Sequence, residues 1–255
     1  MLPCHFCYHV CMRRQASFIV SRAHLWLENP WPFAALVGAA LLYVAAIASG
    51  LAEDVLDNES IVLADGWLVH WLAAHRTPVG IGFFDAVSSL GNWQVAVVVL
   101  LGAIVFLWNR RRRAALALML SCTGSELVVF FGKAGFGRPR PPAMLAVVTP
   151  LDASFPSGHA NISVALYALG FYLLFRTTRS PRLRTLWLVL AALFPLMIGF
   201  SRLYIGAHYL SDVLAGWSVG LWWSILALGA FGFARRRRAT QLQTADLRSR
   251  PNTAK

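Results

Sequence analysis

Apolar residues run in blocks long enough to cross a bilayer, and polar residues collect between the blocks. A helix needs about 20 such residues to span a hydrocarbon core of roughly 30 Å. Pro32 to Ala52 meets that length and is the first expected span. A second is expected from near Phe83, through the apolar run Trp93 to Asn109, with Asp85 in its first turn, where an acid suits the helix dipole. Ala114 to Gly132, His159 to Phe175, Thr185 to Phe200 and Leu210 to Phe233 bring the set to six. Between the first two, Ile61, Leu63, Trp67, Leu68, Trp71 and Leu72 recur near helical spacing, with Glu59, Asp65 and His75 among them. That pattern predicts a short amphipathic helix lying along the membrane surface, with His70 and His75 as interfacial polar residues.

The fold class expected is therefore all-α, a polytopic membrane helical bundle with six transmembrane helices. Residues 32–234 form the bundle, 1–31 an N-terminal segment, and 235–255 a basic tail expected to be disordered. No internal repeat and no second domain is evident. Composition agrees with a membrane protein. The chain is 58% hydrophobic and 13% charged, where a soluble domain carries about 25% charged residues.

A net charge of +12 could suit a nucleic-acid binder, but most basic residues sit in short runs flanking the spans, so no nucleic-acid partner is expected. Lys and Arg accumulate on the cytoplasmic side of membrane proteins. Six spans put both termini on one side, and 18 of the 23 Lys and Arg residues lie there. The termini are thus expected to be cytoplasmic, in the cell inner membrane. The exceptions are Arg76, Lys133, Arg138, Arg140 and Arg202, all on the opposite, external face. Near the N-terminus, Cys4, His5, Cys7, His9 and Cys11 have no second ligand pair, so no metal site is expected from them. Met12, followed by Arg13 and Arg14, is an alternative start.

Three polar stretches interrupt this apolar background. One holds Lys133, Arg138 and Arg140; one is Phe155-Pro156-Ser157-Gly158-His159; one runs from Ser201-Arg202 to His208 and Asp212. His208 and Asp212 are four residues apart, so on a helix they share a face. A carboxylate there can hold one imidazole nitrogen and leave the other free as a nucleophile or base. Lys133, Arg140 and Arg202 suit the oxygens of a phosphate. Gly158, without a side chain, offers its N–H at the start of a helix, where anions are favoured. Ser157 beside it adds a hydroxyl. His159 can protonate a leaving oxygen. No carboxylate cluster suited to a metal accompanies these groups, so metal-independent chemistry with no cofactor is expected. Glu126 lies seven residues before Lys133, about 10 Å along a helix, and is expected to be structural, either facing the bundle interior and bonded to a neighbour or protonated.

Lys133, six residues, Arg140-Pro141; Pro156-Ser157-Gly158-His159; and Ser201-Arg202, five residues, His208, three residues, Asp212 resemble the three-part signature of the type 2 phosphatidic acid phosphatase (lipid phosphate phosphatase) superfamily. The resemblance implies that His208 forms a phosphohistidine, that Asp212 orients it, and that His159 serves as acid and then base. It implies that Lys133, Arg140, Ser157, Gly158 and Arg202 bind the phosphoryl group. The expected function is hydrolysis of a phosphomonoester or diphosphate of a lipid, of the phosphatidic acid, phosphatidylglycerol phosphate or undecaprenyl diphosphate class. A phosphotransferase using the same site is the alternative, and a non-enzymatic lipid or anion transporter a remoter one. Arg138 is not a signature position; it suits a head group or a solvated loop equally.

Overall fold

The computed structural model describes residues 30–57, 60–92 and 94–249. The Cys4–Cys11 cluster and Met12 lie outside the described residues. Among the described residues eight α-helical segments follow one another, with a 3-10 turn at Ala143–Leu145 between the fifth and sixth: α1 (Pro30–Asp57), α2 (Ser60–Ala74), α3 (Pro78–Ser89), α4 (Gln94–Trp108), α5 (Arg112–Phe136), α6 (Gly158–Thr177), α7 (Pro181–Tyr204) and α8 (Leu210–Ser249). No strand occurs among the described residues.

Five of these are long and apolar enough to cross a membrane: α1, α5, α6, α7 and the Leu210–Leu242 part of α8. With α4 as a shorter apolar helix, the six-span layout is accommodated. The second expected span is divided, however. The chain turns at Leu90–Asn92, where Leu90 and Gly91 N–H groups bond back to Val87 and Ser88 carbonyls. Gly91 explains the position of the break: a Cβ there would lie 2.6 Å from His159 Cδ2, so only a glycine lets this turn approach that ring. At the other end, α8 continues through Arg235–Arg238 to Ser249 instead of giving way to a disordered tail after Phe233. Arg, Ala, Gln and Leu there are good helix formers, which sustains the helix beyond its apolar portion.

Local sequence sets the other boundaries. Thr77 caps α3 by accepting from Gly80 N–H, with Pro78 in the first turn. Ser157 caps α6 by accepting from Ala160 N–H. Pro181 opens α7. Gly137, at φ 56°, ends α5 in the left-handed conformation that a side chain disfavours.

The described residues divide into two compact units, one within 41–228 and a smaller one from 30–40 with 229–249. In the smaller unit, Trp31 meets Phe233 edge-on at 5.8 Å and the Arg236 guanidinium sits 3.7 Å over the Phe33 ring. In the larger, one buried cluster joins α4, α5, α6 and α7 through Phe106, Leu118, Cys122, Leu166, Tyr167 and Ile198. A second, of Leu72, Ala160, Leu203 and Val213, joins α2, α6, α7 and α8. Between membrane helices such contacts stabilise by close packing, because lipid tails are as apolar as leucine. Gly216 illustrates this: a Cβ there would overlap the Ser157 carbonyl oxygen, so its absence lets α8 press on the start of α6. The result is that α5 ends, α6 begins, α7 ends and α8 begins close together, with the 137–157 loop over them.

Candidate active site

A cavity of about 290 Å³ opens at this convergence, lined by Asp85, Ser88, Asn92, Lys133, Arg140, Val148, Pro150, Asp152, Gly158, His159, Arg202 and His208. Six of the eight sequence-expected site residues line it: Lys133, Arg140, Gly158, His159, Arg202 and His208. Asp212 lies behind His208, fully buried. Ser157 does not line the cavity; its hydroxyl caps α6 and its N–H bonds to Asp212 O at 3.0 Å.

His208 sits in the turn between α7 and α8, 1% exposed. Its Nδ1 is 3.3 Å from Asp212 Oδ2 and 3.4 Å from Ser154 Oγ. Its Nε2 is 3.1 Å from Arg140 Nη1, which can only donate. The pair of contacts fixes the tautomer: Nδ1–H faces the carboxylate and Nε2 carries the lone pair toward the cavity. Burial pushes the imidazole down to about 4, assisted by Arg202 and Arg140 and opposed by Asp212, so it is neutral at physiological pH. A neutral, oriented imidazole is what nucleophilic attack requires.

Asp212 is saturated with partners. Oδ2 also accepts from Tyr209 N–H at 2.8 Å and from Ser154 Oγ. Oδ1 accepts from Arg138 Nη1 at 2.6 Å. The other Arg138 arm donates to Asp65 Oδ2 at 2.9 Å. Asp65, fully buried on α2, in turn accepts from Ser211 N–H at 2.9 Å and from Ser211 Oγ. Burial alone would lower the Arg138 guanidinium, yet the carboxylates of Asp212 and Asp65 push it above its ordinary value. This six-residue net, of Asp212, Tyr209, Ser154, Arg138, Asp65 and Ser211, was not legible from the sequence. Asp65 reads there as one acid in a surface helix, and its only signal is its position inside an apolar run.

The cations around the cavity differ in their occupancy. Arg202 Nη1 donates to Ser88 Oγ at 2.6 Å, while among the described residues its buried Nε has no partner; neither has His159 Nε2. Buried polar nitrogens without partners are rare, and Arg202 Nε–H, which can only donate, suits an anionic ligand. Lys133 and Arg140 both contact Asp152, Lys133 through Nζ and Arg140 through Nη2 at 2.7 Å. Partial burial would raise the Asp152 carboxyl, but these two cations hold it down to about 2. The Asp152 carboxylate thus stands against the same donors that a phosphoryl group would use. Its side chain is 54% exposed, so it is not locked in. Replacing Asp152 by asparagine is expected to tighten inhibition by vanadate or inorganic phosphate by up to roughly fivefold, the scale of an exposed ion pair. Competition assays at fixed ionic strength check this; unchanged inhibition constants would show that Asp152 does not compete.

The remaining polar residues lie elsewhere. His70 and His75 Nδ1 atoms bond to Gly66 and Trp71 carbonyls one turn back, away from the cavity. Arg76 bonds to the carbonyls of Tyr204 and Leu145, tying the α2–α3 connection to the end of α7. Glu126 bonds to a neighbour, as expected, but from an exposed position on α5 and not from inside the bundle, with Oε1 accepting from Asn161 Nδ2 at 2.7 Å.

Known proteins resemble this chain in fold and in sequence. Residues 114–236 match the PAP2 superfamily. Phosphatidylglycerophosphatase B of Bacillus subtilis is 26% identical over 73% of this chain and 85% of its own. An undecaprenyl-diphosphatase of Sulfolobus acidocaldarius is 30% identical over 58% and 68%, and a lipid A 1-phosphatase of Rhizobium etli 35% identical over 52% and 63%. The crystal structure of a transmembrane PAP2-type phosphatidylglycerolphosphate phosphatase from Bacillus subtilis superposes with a TM-score of 0.62 at 25% identity, covering 75% of this chain and 94% of that one. The chain belongs to the PAP2 superfamily and is a multi-pass membrane phosphatase of that family. Its homologues act on the phosphates of membrane lipids.

Proposed function

We propose that the protein hydrolyses a lipid phosphate through a covalent phosphohistidine on His208, without a metal. The observation that carries this reading is the orientation of His208: one nitrogen is held by Asp212, and the other faces a cavity ringed by Lys133, Arg140 and Arg202. The Nε2 lone pair attacks phosphorus, and the bond to the lipid oxygen breaks. That oxygen takes a proton from His159 and leaves as the lipid alcohol, or as the lipid monophosphate where the substrate is a diphosphate. Water then attacks the phosphohistidine, giving its proton to His159. The P–N bond breaks, inorganic phosphate leaves, and both histidines return to their starting states.

The three cations and the Gly158 N–H stabilise the charge spread over the phosphoryl oxygens, the work that a metal does in other phosphatases. Ser157 serves the site by capping α6 and thereby aiming that N–H. The lipid arrives by lateral diffusion. The candidates are those of the homologues: a glycerolipid phosphate, an isoprenoid diphosphate or a lipid A phosphate. The run of arginines at the far ends of α5, α6 and α7 supports cytoplasmic termini and an active site on the external face of the cytoplasmic membrane. Transfer of the phosphoryl group to another acceptor would use the same intermediate.

The test is phosphate release from a panel of these lipids by the detergent-purified protein, with EDTA present. We expect turnover of at least one lipid, unaffected by EDTA. We also expect the acid limb of kcat/KM that reports on His208 to lie well below 6.5, because its folded value is lowered and the free base persists as pH falls. Dependence on added Mg²⁺ would contradict the mechanism, and release from none of the lipids would contradict the function.

A further inference from the structure

Beside the phosphate cavity runs a second, larger space of about 690 Å³ in the bundle wall, bounded by the α3–α4 turn, α4, α5 and the start of α6. Asn92, Gly158 and His159 line both, so the two adjoin. Its walls are mainly apolar: Val95, Val99, Leu127, Phe130 and Ile162 face it. One carboxyl interrupts them. Glu126 lines the groove from the middle of α5, seven residues before Lys133, and is exposed to it. Seven residues amount to about 10 Å along the helix axis.

An ionisable side chain inside a membrane span is costly and is kept where it has a use. The mechanism proposed above gives Glu126 none. It is not left to drift, either. The fully buried Asn161 donates Nδ2 to Glu126 Oε1 at 2.7 Å and to Ser125 Oγ at 3.1 Å, fixing the carboxyl against the groove wall. A hydrocarbon lying against that wall would gain nothing from an oriented carboxyl. A lipid whose polar linkage passes this depth would.

We propose that the groove receives the part of the substrate lipid next to its phosphate, and that Glu126, oriented by Asn161, accepts a hydrogen bond from a hydroxyl or amide N–H of that part. This rests on the lipid-phosphatase reading and narrows its substrate class. The preferred substrates are lipid phosphates with a hydrogen-bond donor within about 10 Å of phosphorus, such as phosphates of N-acylated amino alcohols or acylated amino sugars. Isoprenoid and simple alkyl phosphates offer only hydrocarbon at that depth. A carboxyl oxygen accepts in either protonation state, so the assignment does not depend on whether Glu126 is ionised.

The experiment compares ceramide 1-phosphate, which carries an amide and a hydroxyl, with hexadecyl phosphate, which carries neither, for the wild type, Glu126→Leu and Glu126→Gln. For Glu126→Leu we expect kcat/KM on ceramide 1-phosphate to fall about tenfold, the scale of one net hydrogen bond, mostly through KM. Its kcat/KM on hexadecyl phosphate stays within about twofold of wild type. Glu126→Gln, which keeps an accepting oxygen, recovers most of the loss. Equal losses on both substrates would mean that Glu126 only supports the fold, and no loss on either would mean that it touches no substrate; each overturns the inference while leaving the phosphatase reading intact. If the wild type hydrolyses neither probe nor any lipid of the earlier panel, the phosphatase reading falls and takes this inference with it.

Discussion

His208→Ala is expected to abolish lipid phosphate hydrolysis, with kcat falling on the order of 10⁴-fold or more, as when a nucleophile is removed from a site whose parts act as a unit. The fold should survive. Nothing is forced into the space that the imidazole leaves, and the Asp212 carboxylate keeps Arg138, Ser154 and the Tyr209 N–H as partners. Arg140 also retains the Ala207 carbonyl at 2.6 Å and Asp152. Helical content and elution in detergent should therefore match the wild type. Residual turnover, if measurable, reflects the cations alone. Phosphate affinity should change little, since Lys133, Arg140 and Arg202 remain. A variant that bound vanadate but released no phosphate would separate binding from chemistry cleanly.

The second large effect is expected at Arg138, which touches no substrate in the proposed mechanism. Its guanidinium is the only cation whose contacts bridge Asp65 and Asp212 among the described residues, and both carboxylates are fully buried. Removing one partner from a buried ion pair costs about 3–5 kcal/mol, because the other charge is left uncompensated. Arg138→Gln should accordingly lower the melting temperature in detergent by several degrees and reduce kcat by about 10²-fold, as the Asp212 carboxylate turns from His208. The amplitude should exceed that of Asp65→Asn. The asparagine leaves Arg138 paired with Asp212, and its side-chain oxygen can still accept from the Ser211 N–H. Arg138→Lys should restore stability more than activity, since an ammonium cannot span both carboxylates with a rigid fork. Thermal melting and kcat measured on the same preparations test this. Full activity of Arg138→Gln would remove Arg138 and Asp65 from any role in positioning Asp212.

The sequence discloses the parts of this molecule that depend on local pattern. Apolar run length marks the long spans, and α5, α6 and α7 extend beyond the expected limits by only a few residues at each end. The residues that the three polar stretches contribute converge because each stretch follows or precedes a span, so an up-and-down helical topology brings them to one end. What the sequence hides is set by tertiary geometry. The break at Leu90–Asn92 depends on how closely Gly91 packs to His159, which hydropathy cannot register. Asp65 lies far from the three polar stretches and meets Ser211 only through folding. Asp152 is a lone loop acid whose relevance appears only beside Lys133 and Arg140. Glu126 was legible as anomalous, but its direction was not: the groove that it faces is formed by α4 and α6 as well as its own helix.

The most direct measurement of the central claim is capture of the intermediate. The protein is denatured in alkali during turnover of a lipid whose phosphate is radiolabelled, then digested and fragmented. The account predicts label on the protein that survives base and is lost in acid, as expected of a phosphohistidine, located at His208 and missing from His208→Ala. Label on a different residue, or rapid turnover with the protein never labelled, would contradict it.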